Sequence, residues 1–137
     1  MIQQIKTKWQ GEMHFIADSL GGEINLDSAE DVGGQGKGKR PKALMLVALA
    51  GCTGMDVALM IKKMRLDVED FTIDVSGDLS DEHPKIYKTT HIVYAFKGVN
   101  LDKEKLEKAV NLSFDKYCGV VAMFKKFSVV TKEIRFN

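Results

Sequence analysis

One apolar run constrains the fold more than any other segment of the sequence. It extends from Pro41 to Leu66, and between Ala43 and Met60 its only charged residue is Asp56. Its apolar residues occupy every face of a 3.6-residue helical wheel rather than one stripe, which predicts a helix that is enclosed on all sides. Pro41 suits the first helical position, because the N–H that it lacks would have no partner there.

Composition limits what surrounds this helix. The 137 residues include 20 basic and 19 acidic side chains, a net charge of +1, so no strong field attracts nucleic acid or an anionic membrane. Polar residues and glycines interrupt the apolar run near its middle, which indicates a core helix rather than a membrane span. The first ten residues lack the apolar region of a signal peptide, so we expect a cytoplasmic protein. The chain length is typical of one domain, so we expect a single domain, residues 1–137.

Hydrophobic periodicity places strands on both sides of the helix. Alternation of apolar and polar residues is typical of strands, whereas helical spacing follows Asn100, which we expect to cap the second helix. A mixed α+β domain of antiparallel sheets around a buried central helix is therefore predicted. The predicted elements after the N-terminal hairpin of residues 2–9 and 13–17 are a strand at 23–27, the core helix, a hairpin of 69–76 and 87–97, a helix from Asn100 to about Tyr117, a helical turn at 120–124 and a closing strand at 127–136.

A glycine-rich loop leads into the core helix. Residues 28–40 contain four glycines and few apolar residues, so we expect a mobile loop. Gly33 and the pair Gly38-Lys39 resemble the start of a phosphate-binding P-loop, but Arg40 stands where that motif needs Ser or Thr. No nucleotide cofactor is therefore expected, although an anion could be held near the helix N-terminus by its basic residues, Lys37, Lys39, Arg40 and Lys42.

Two cysteines are the candidate reactive groups. Cys52 has mostly apolar neighbours on its helical face, and an inert buried thiol is the alternative interpretation of such a residue. Cys118 follows a predicted helix end and precedes Gly119, a position accessible to a partner thiol or simply a packed cap. Their separation of 66 residues excludes a CxxC motif, and the three scattered histidines show no zinc-ligand spacing. No metal site is expected.

The contexts of the two cysteines resemble the OsmC/Ohr family of osmotically induced and organic-hydroperoxide-resistance proteins. The first segment is RPKALMLVALAGCTGMDV, Arg40 to Val57, and the second is DKYCGVVAMF, Asp115 to Phe124. Both occur in the family's order, with three strands before and one after. The sequences of these two segments are most similar to a less characterised OsmC-like branch.

This resemblance implies an intertwined homodimer with two active sites at the interface. It also implies that Cys52 reduces an organic hydroperoxide and becomes a sulfenic acid. Cys118 would then resolve that acid as a disulfide, and a dithiol reductant would restore both thiols.

The sequence departs from the resemblance at the residues that activate the first cysteine. Organic-hydroperoxide members pair an N-terminal arginine with a glutamate at the start of the helix, whereas this chain has no arginine before Arg40 and has Lys42-Ala43 at the glutamate position. Arg40 or Lys42 is the expected substitute cation. The alternative function is a non-enzymatic protein that binds a small apolar or anionic ligand in the interface pocket, with walls at Met45, Leu49 and Met55.

Overall fold

The computed structural model describes all residues from 1 to 137, which form two compact units, residues 1–45 and 46–137. Strands and helices mix in the order that the periodicity predicts, so the α+β class is confirmed. The elements are β1 (Lys6–Gly11), β2 (His14–Ser19), β3 (Gly22–Leu26), a 3₁₀ turn (Glu30–Val32), α1 (Pro41–Lys63), β4 (Asp70–Leu79), β5 (Tyr87–Lys97), α2 (Lys103–Leu112), a π-helical turn (Ser113–Tyr117), α3 (Gly119–Phe124) and β6 (Val129–Phe136).

The first unit is built on an antiparallel sheet of β1, β2 and β3. Trp9 pairs with Phe15 across the predicted hairpin, and Phe15 pairs in turn with Leu26 of β3. The turn between β1 and β2 includes Glu12, which has a positive φ of 50°. The N-terminal hairpin and the third strand are therefore confirmed.

Hydrogen bonds anchor the glycine-rich loop to the residue that follows β3. The Asp27 carboxylate, which is almost fully buried, accepts hydrogen bonds from the backbone N–H groups of Ser28, Gln35 and Lys37 at 2.8, 2.9 and 3.0 Å. A side chain at Gly34 would place its Cβ 1.8 Å from the Ser28 carbonyl oxygen. At this position glycine permits a close backbone approach, which is a structural role that loop composition alone does not reveal.

The second unit contains a mixed sheet with β5 at its centre. β4 runs antiparallel to β5, which confirms the predicted hairpin, whereas β6 runs parallel to β5 and so departs from an all-antiparallel sheet. Parallel neighbours need a long crossover connection, which α2, the π-helical turn and α3 provide. Ile92, Tyr94 and Phe96 of β5 are fully buried in the core of this unit.

Only one stripe of α1 is buried in the single chain. Leu49, Thr53 and Val57 have no exposed surface, whereas Met55 is 75% exposed. By length and apolar content α1 could cross a membrane, but core helices of soluble proteins pass the same test. An apolar surface of α1 is thus left without cover.

The start of α2 differs from the predicted one. The capping residue is Asp102 rather than Asn100, because the Asp102 side chain accepts a hydrogen bond from the Lys105 N–H at 3.1 Å. This bond satisfies a backbone donor that has no partner within the helix. The helix begins at Lys103, two residues later than a cap at Asn100 would place it.

Candidate functional site

Cys52 lies at the edge of the buried stripe of α1. The residue that follows it, Thr53, is fully buried, whereas Cys52 itself is only partly buried. Gly54 lets the helix approach the sheet closely, since a Cβ there would lie 2.9 Å from Cδ1 of Ile73. Helical geometry therefore gives the Cys52 thiol one side toward the core and one side that remains accessible.

Cys118 lies at a junction between two helical segments. Its backbone N–H donates to the Ser113 carbonyl oxygen at 2.9 Å and closes the π-helical turn after α2. Its sulfur accepts a hydrogen bond from the Val121 N–H at 3.4 Å and so caps α3. The residue is 4% exposed. The position after a helix end that the sequence predicts is confirmed, but the thiol is buried rather than open.

The fold brings the two cysteines together. Burial raises the pKa of the Cys118 thiol to about 11, the Val121 N–H opposes this rise, and a hydrogen bond with the Cys52 side chain adds to it. A hydrogen bond that raises the pKa of a thiol stabilises its protonated form. Cys118 is thus a neutral thiol near pH 7, within hydrogen-bonding reach of Cys52, and neither cysteine is in a disulfide.

A chain of polar side chains, which we call the hydroxyl chain, lies in the core beside these cysteines. Thr53 Oγ1 is 2.8 Å from Tyr94 Oη and 2.7 Å from Ser113 Oγ, and Ser113 Oγ donates to Asp56 Oδ2 at 2.9 Å. Thr53, Tyr94 and Ser113 have essentially no exposed surface. Ser113 donates to Asp56, whereas in each of the two hydroxyl pairs either oxygen can be the donor.

The electrostatics of Tyr94 connect this chain to the thiols. Burial raises the pKa of Tyr94 to about 12, the hydrogen bond with Thr53 lowers it, and the charges of Cys118 and Asp56 raise it. Tyr94 is therefore a neutral hydroxyl at any physiological pH. Sequence reasoning missed Thr53, Tyr94 and Ser113 as members of this site. The available signal was a threonine and an aspartate inside an otherwise apolar helix.

The predicted activating cations lie at the N-terminal end of α1. Arg40 immediately precedes the helix and Lys42 is its second residue, ten positions before Cys52 and about three helical turns away along the chain. Their role in activating Cys52 stays a prediction. No group of three or more His, Cys, Asp and Glu side chains lies close enough together to hold a metal ion.

A cleft of about 590 Å³ opens beside the carboxylate end of the hydroxyl chain. Asp56 lies in its wall, and Lys63 adds the opposite charge. Leu49, an expected pocket wall, is instead fully buried in the core. The remaining walls are mostly apolar and come from Leu59, Met60, Met64, Leu112 and Tyr117.

Comparisons with known proteins identify the family. The family model described as OsmC-like protein matches residues 34–133. Protein YhfA of Escherichia coli strain K12 is 29% identical over 130 residues, 93% of each chain. The crystal structure of a hypothetical protein from Aquifex aeolicus VF5 is similar with a TM-score of 0.82 and 32% identity, over 100% of this chain and 98% of that one.

A more distant structure shares the fold. The organic hydroperoxide resistance protein OhrB of Bacillus subtilis is similar over 98% of both chains with a TM-score of 0.65, at 17% identity. Since the family model covers more than half of the sequence and includes both cysteines, this chain belongs to the OsmC-like protein family.

Proposed function

We propose that the protein is a thiol-dependent peroxidase that reduces organic hydroperoxides through Cys52 and Cys118. The observation that carries this proposal is that two free thiols, 66 positions apart in the sequence, lie close enough for Cys52 to influence the pKa of Cys118. Several structural relatives are named as organic hydroperoxide resistance proteins, which supports the same chemistry.

The two thiols have different roles in the proposed reaction. The Cys52 thiolate attacks the terminal oxygen of the hydroperoxide, the O–O bond breaks, and the departing alkoxide takes up a proton to become an alcohol. Cys52 is then a sulfenic acid. The Cys118 sulfur attacks the Cys52 sulfur, and the Cys118 proton leaves with the sulfenic hydroxyl as water. A dithiol reductant returns both residues to thiols by exchange.

The protonation state of Cys118 supports this order of events. Burial raises its pKa to about 11, so near neutral pH it is a poor nucleophile but a hydrogen-bond donor. Cys52 is therefore the attacking residue and Cys118 the resolving one.

Arg40 and Lys42 are the proposed cations that help to form the Cys52 thiolate. Each side chain is replaced by alanine in turn, with Lys62→Ala at the opposite end of the same helix as the control. Loss of the activating cation should slow peroxide reduction relative to both the wild type and Lys62→Ala. Equal rates of peroxide reduction in all three variants would show that neither Arg40 nor Lys42 activates Cys52.

The active form is proposed to be a cytoplasmic homodimer. Val47, Met55 and Leu59 are 62, 75 and 51% exposed and form a ridge at intervals of four residues, with Gly51 completing it. A second copy would cover this ridge, since an exposed apolar helix face is unfavourable in water. Met55→Glu should shift the protein to monomers in light scattering, whereas Val99→Glu, an equally exposed control, should not. A wild-type monomer at micromolar concentration would contradict the dimer.

Mass spectrometry after treatment with an organic hydroperoxide tests the reaction. The wild type should form an intramolecular Cys52–Cys118 disulfide, Cys118→Ser should stop at a sulfenic acid on Cys52, and Cys52→Ser should form neither product. Unmodified thiols in folded wild type, after excess hydroperoxide, would overturn the peroxidase proposal.

The second candidate function is binding of a small amphipathic ligand without catalysis. The cleft favours it, because its walls are apolar and it carries one carboxylate and one ammonium group. Binding of a medium-chain fatty acid or amine, measured by calorimetry, should weaken in Met64→Asp but not in Val99→Asp. Binding that persists in protein inert toward hydroperoxides would favour this function over the first.

A further inference from the structure

The hydroxyl chain has one member on each of the two segments that carry the cysteines. Thr53 follows Cys52 in α1, and Ser113 begins the π-helical turn whose first carbonyl accepts the N–H of Cys118. The 2.7 Å hydrogen bond between Thr53 and Ser113 therefore joins the two segments without involving either sulfur.

The two thiols cannot hold themselves together. A thiol is a weak hydrogen-bond donor and sulfur a weak acceptor, so the contact between Cys52 and Cys118 adds little to their alignment. Hydroxyl hydrogen bonds are stronger, and the one from Ser113 to Asp56 is strengthened further by the charge of the carboxylate. Since Thr53 and Ser113 are fully buried, water does not compete for their bond.

The segment between Ser113 and Cys118 links this hydrogen bond to the position of the second thiol. A π-helical turn is rare and is frequently found at functional sites. Here the turn is anchored at its first residue by the Ser113 hydroxyl and at its end by the Cys118 N–H.

We propose that Thr53 and Ser113 are positioning residues that hold Cys118 against Cys52 and so set the effective concentration of one thiol toward the other. Their contribution to catalysis rests on the proposed function, in which the Cys118 sulfur attacks Cys52 in the resolving step. The same alignment governs disulfide formation by any oxidant.

The experiment measures the equilibrium constant for the Cys52–Cys118 disulfide in glutathione redox buffers, without hydroperoxide. Thr53→Val keeps the shape of the side chain and removes its hydroxyl, and Ser113→Ala removes the other partner. Each variant should lower the equilibrium constant about tenfold, the effect of one buried hydrogen bond. Thr53→Ser retains the hydroxyl and should restore the constant to near the wild-type value.

Thr90→Val is the matched control. Thr90 Oγ1 lies 2.7 Å from Ser128 Oγ, and both residues are buried in the same unit, so this variant also loses a buried hydroxyl pair. It should lose stability in urea much as Thr53→Val does, while its disulfide equilibrium stays within about twofold of wild type. An unchanged constant in both Thr53→Val and Ser113→Ala, or an equal loss in Thr90→Val, would overturn the positioning role.

The outcomes separate this inference from the proposed function. A wild type that forms the disulfide in glutathione but is inert toward hydroperoxides would overturn the peroxidase alone, because the positioning effect is measured without peroxide. A wild type that forms no intramolecular disulfide at any glutathione ratio would overturn the positioning role.

Discussion

The two compact units differ in what holds their strands in place. In residues 1–45 the only buried side chains are Ala17 and Asp27, and large apolar residues such as Trp9 and Phe15 remain exposed. Residues 46–137 contain a contiguous apolar core that includes Tyr94 and Phe96. The first unit is thus ordered mainly by backbone hydrogen bonds and one carboxylate, whereas the second is ordered by burial.

This difference determines how each unit tolerates change. In the second unit the cysteine pair and the hydroxyl chain are part of the core, so a substitution there affects chemistry and stability together. In the first unit, a substitution in the Asp27 loop should have local consequences, since few side chains depend on it.

The largest expected effect comes from truncating the core of the second unit. Phe96 is fully buried and its ring is stacked on Phe71 at 4.6 Å between centroids. Phe96→Ala should lower the free energy of unfolding by about 3–5 kcal/mol in urea titrations. Phe15→Ala in the first unit, where the side chain is 38% exposed, should cost less than about 1 kcal/mol. Equal losses in the free energy of unfolding for the two variants would contradict the difference between the units. A loss in Phe15→Ala that grows with protein concentration would show that a second copy covers this residue.

Alkaline pH should also act through the second unit. Burial raises the pKa of Cys118 from 9.0 to about 11, so the folded state retains a proton that the unfolded state loses. The resulting stability is fully present below pH 9 and is lost as pH rises toward 11, by about 2 kcal/mol. Urea titrations of wild type and Cys118→Ser across this range should therefore converge as pH rises. Parallel curves would contradict a buried neutral thiol, because Tyr94 is present in both proteins and does not distinguish them.

A smaller and local effect is expected from the Asp27 loop. The backbone N–H groups of Lys37 and Gln35 hold the pKa of Asp27 below its usual value, so its stabilisation is present above pH 3.8 and is lost as pH falls through the folded-state pKa. Asp27→Asn replaces one accepting oxygen with a donor. Amide hydrogen exchange at Gln35 and Lys37 should become about tenfold faster, with exchange in β5 unchanged. Asp31→Asn, an exposed carboxylate of the same loop, is the control and should leave exchange as it is.

The smallest effect should come from surface charge on the second unit. Lys88 Nζ lies 3.6 Å from Asp78 Oδ2, and both side chains are about half exposed or more. Lys88→Ala should change the free energy of unfolding by less than about 0.5 kcal/mol, because water screens such a pair. A loss above 1 kcal/mol in urea, which is far outside the range of exposed ion pairs, would mean that burial alone does not account for the stability of this unit.

The sequence by itself determined the local elements of this protein. Period-two alternation located both hairpins and the closing strand, and the apolar run located α1 with Pro41 at its start. The contexts of Cys52 and Cys118 determined the family. These signals succeed because strand and helix periodicity, like a motif around one residue, is contained within a short window of chain.

The tertiary structure alone decided the features that depend on distant partners. The order of the Asp27 loop depends on which backbone N–H groups meet one carboxylate. The parallel pairing of β6 follows from the crossover through α2 and α3. The hydroxyl chain joins residues 41 and 60 positions apart, and no local pattern encodes such a contact. Burial decides it, because a hydroxyl removed from water must find its partner wherever the fold brings one within reach.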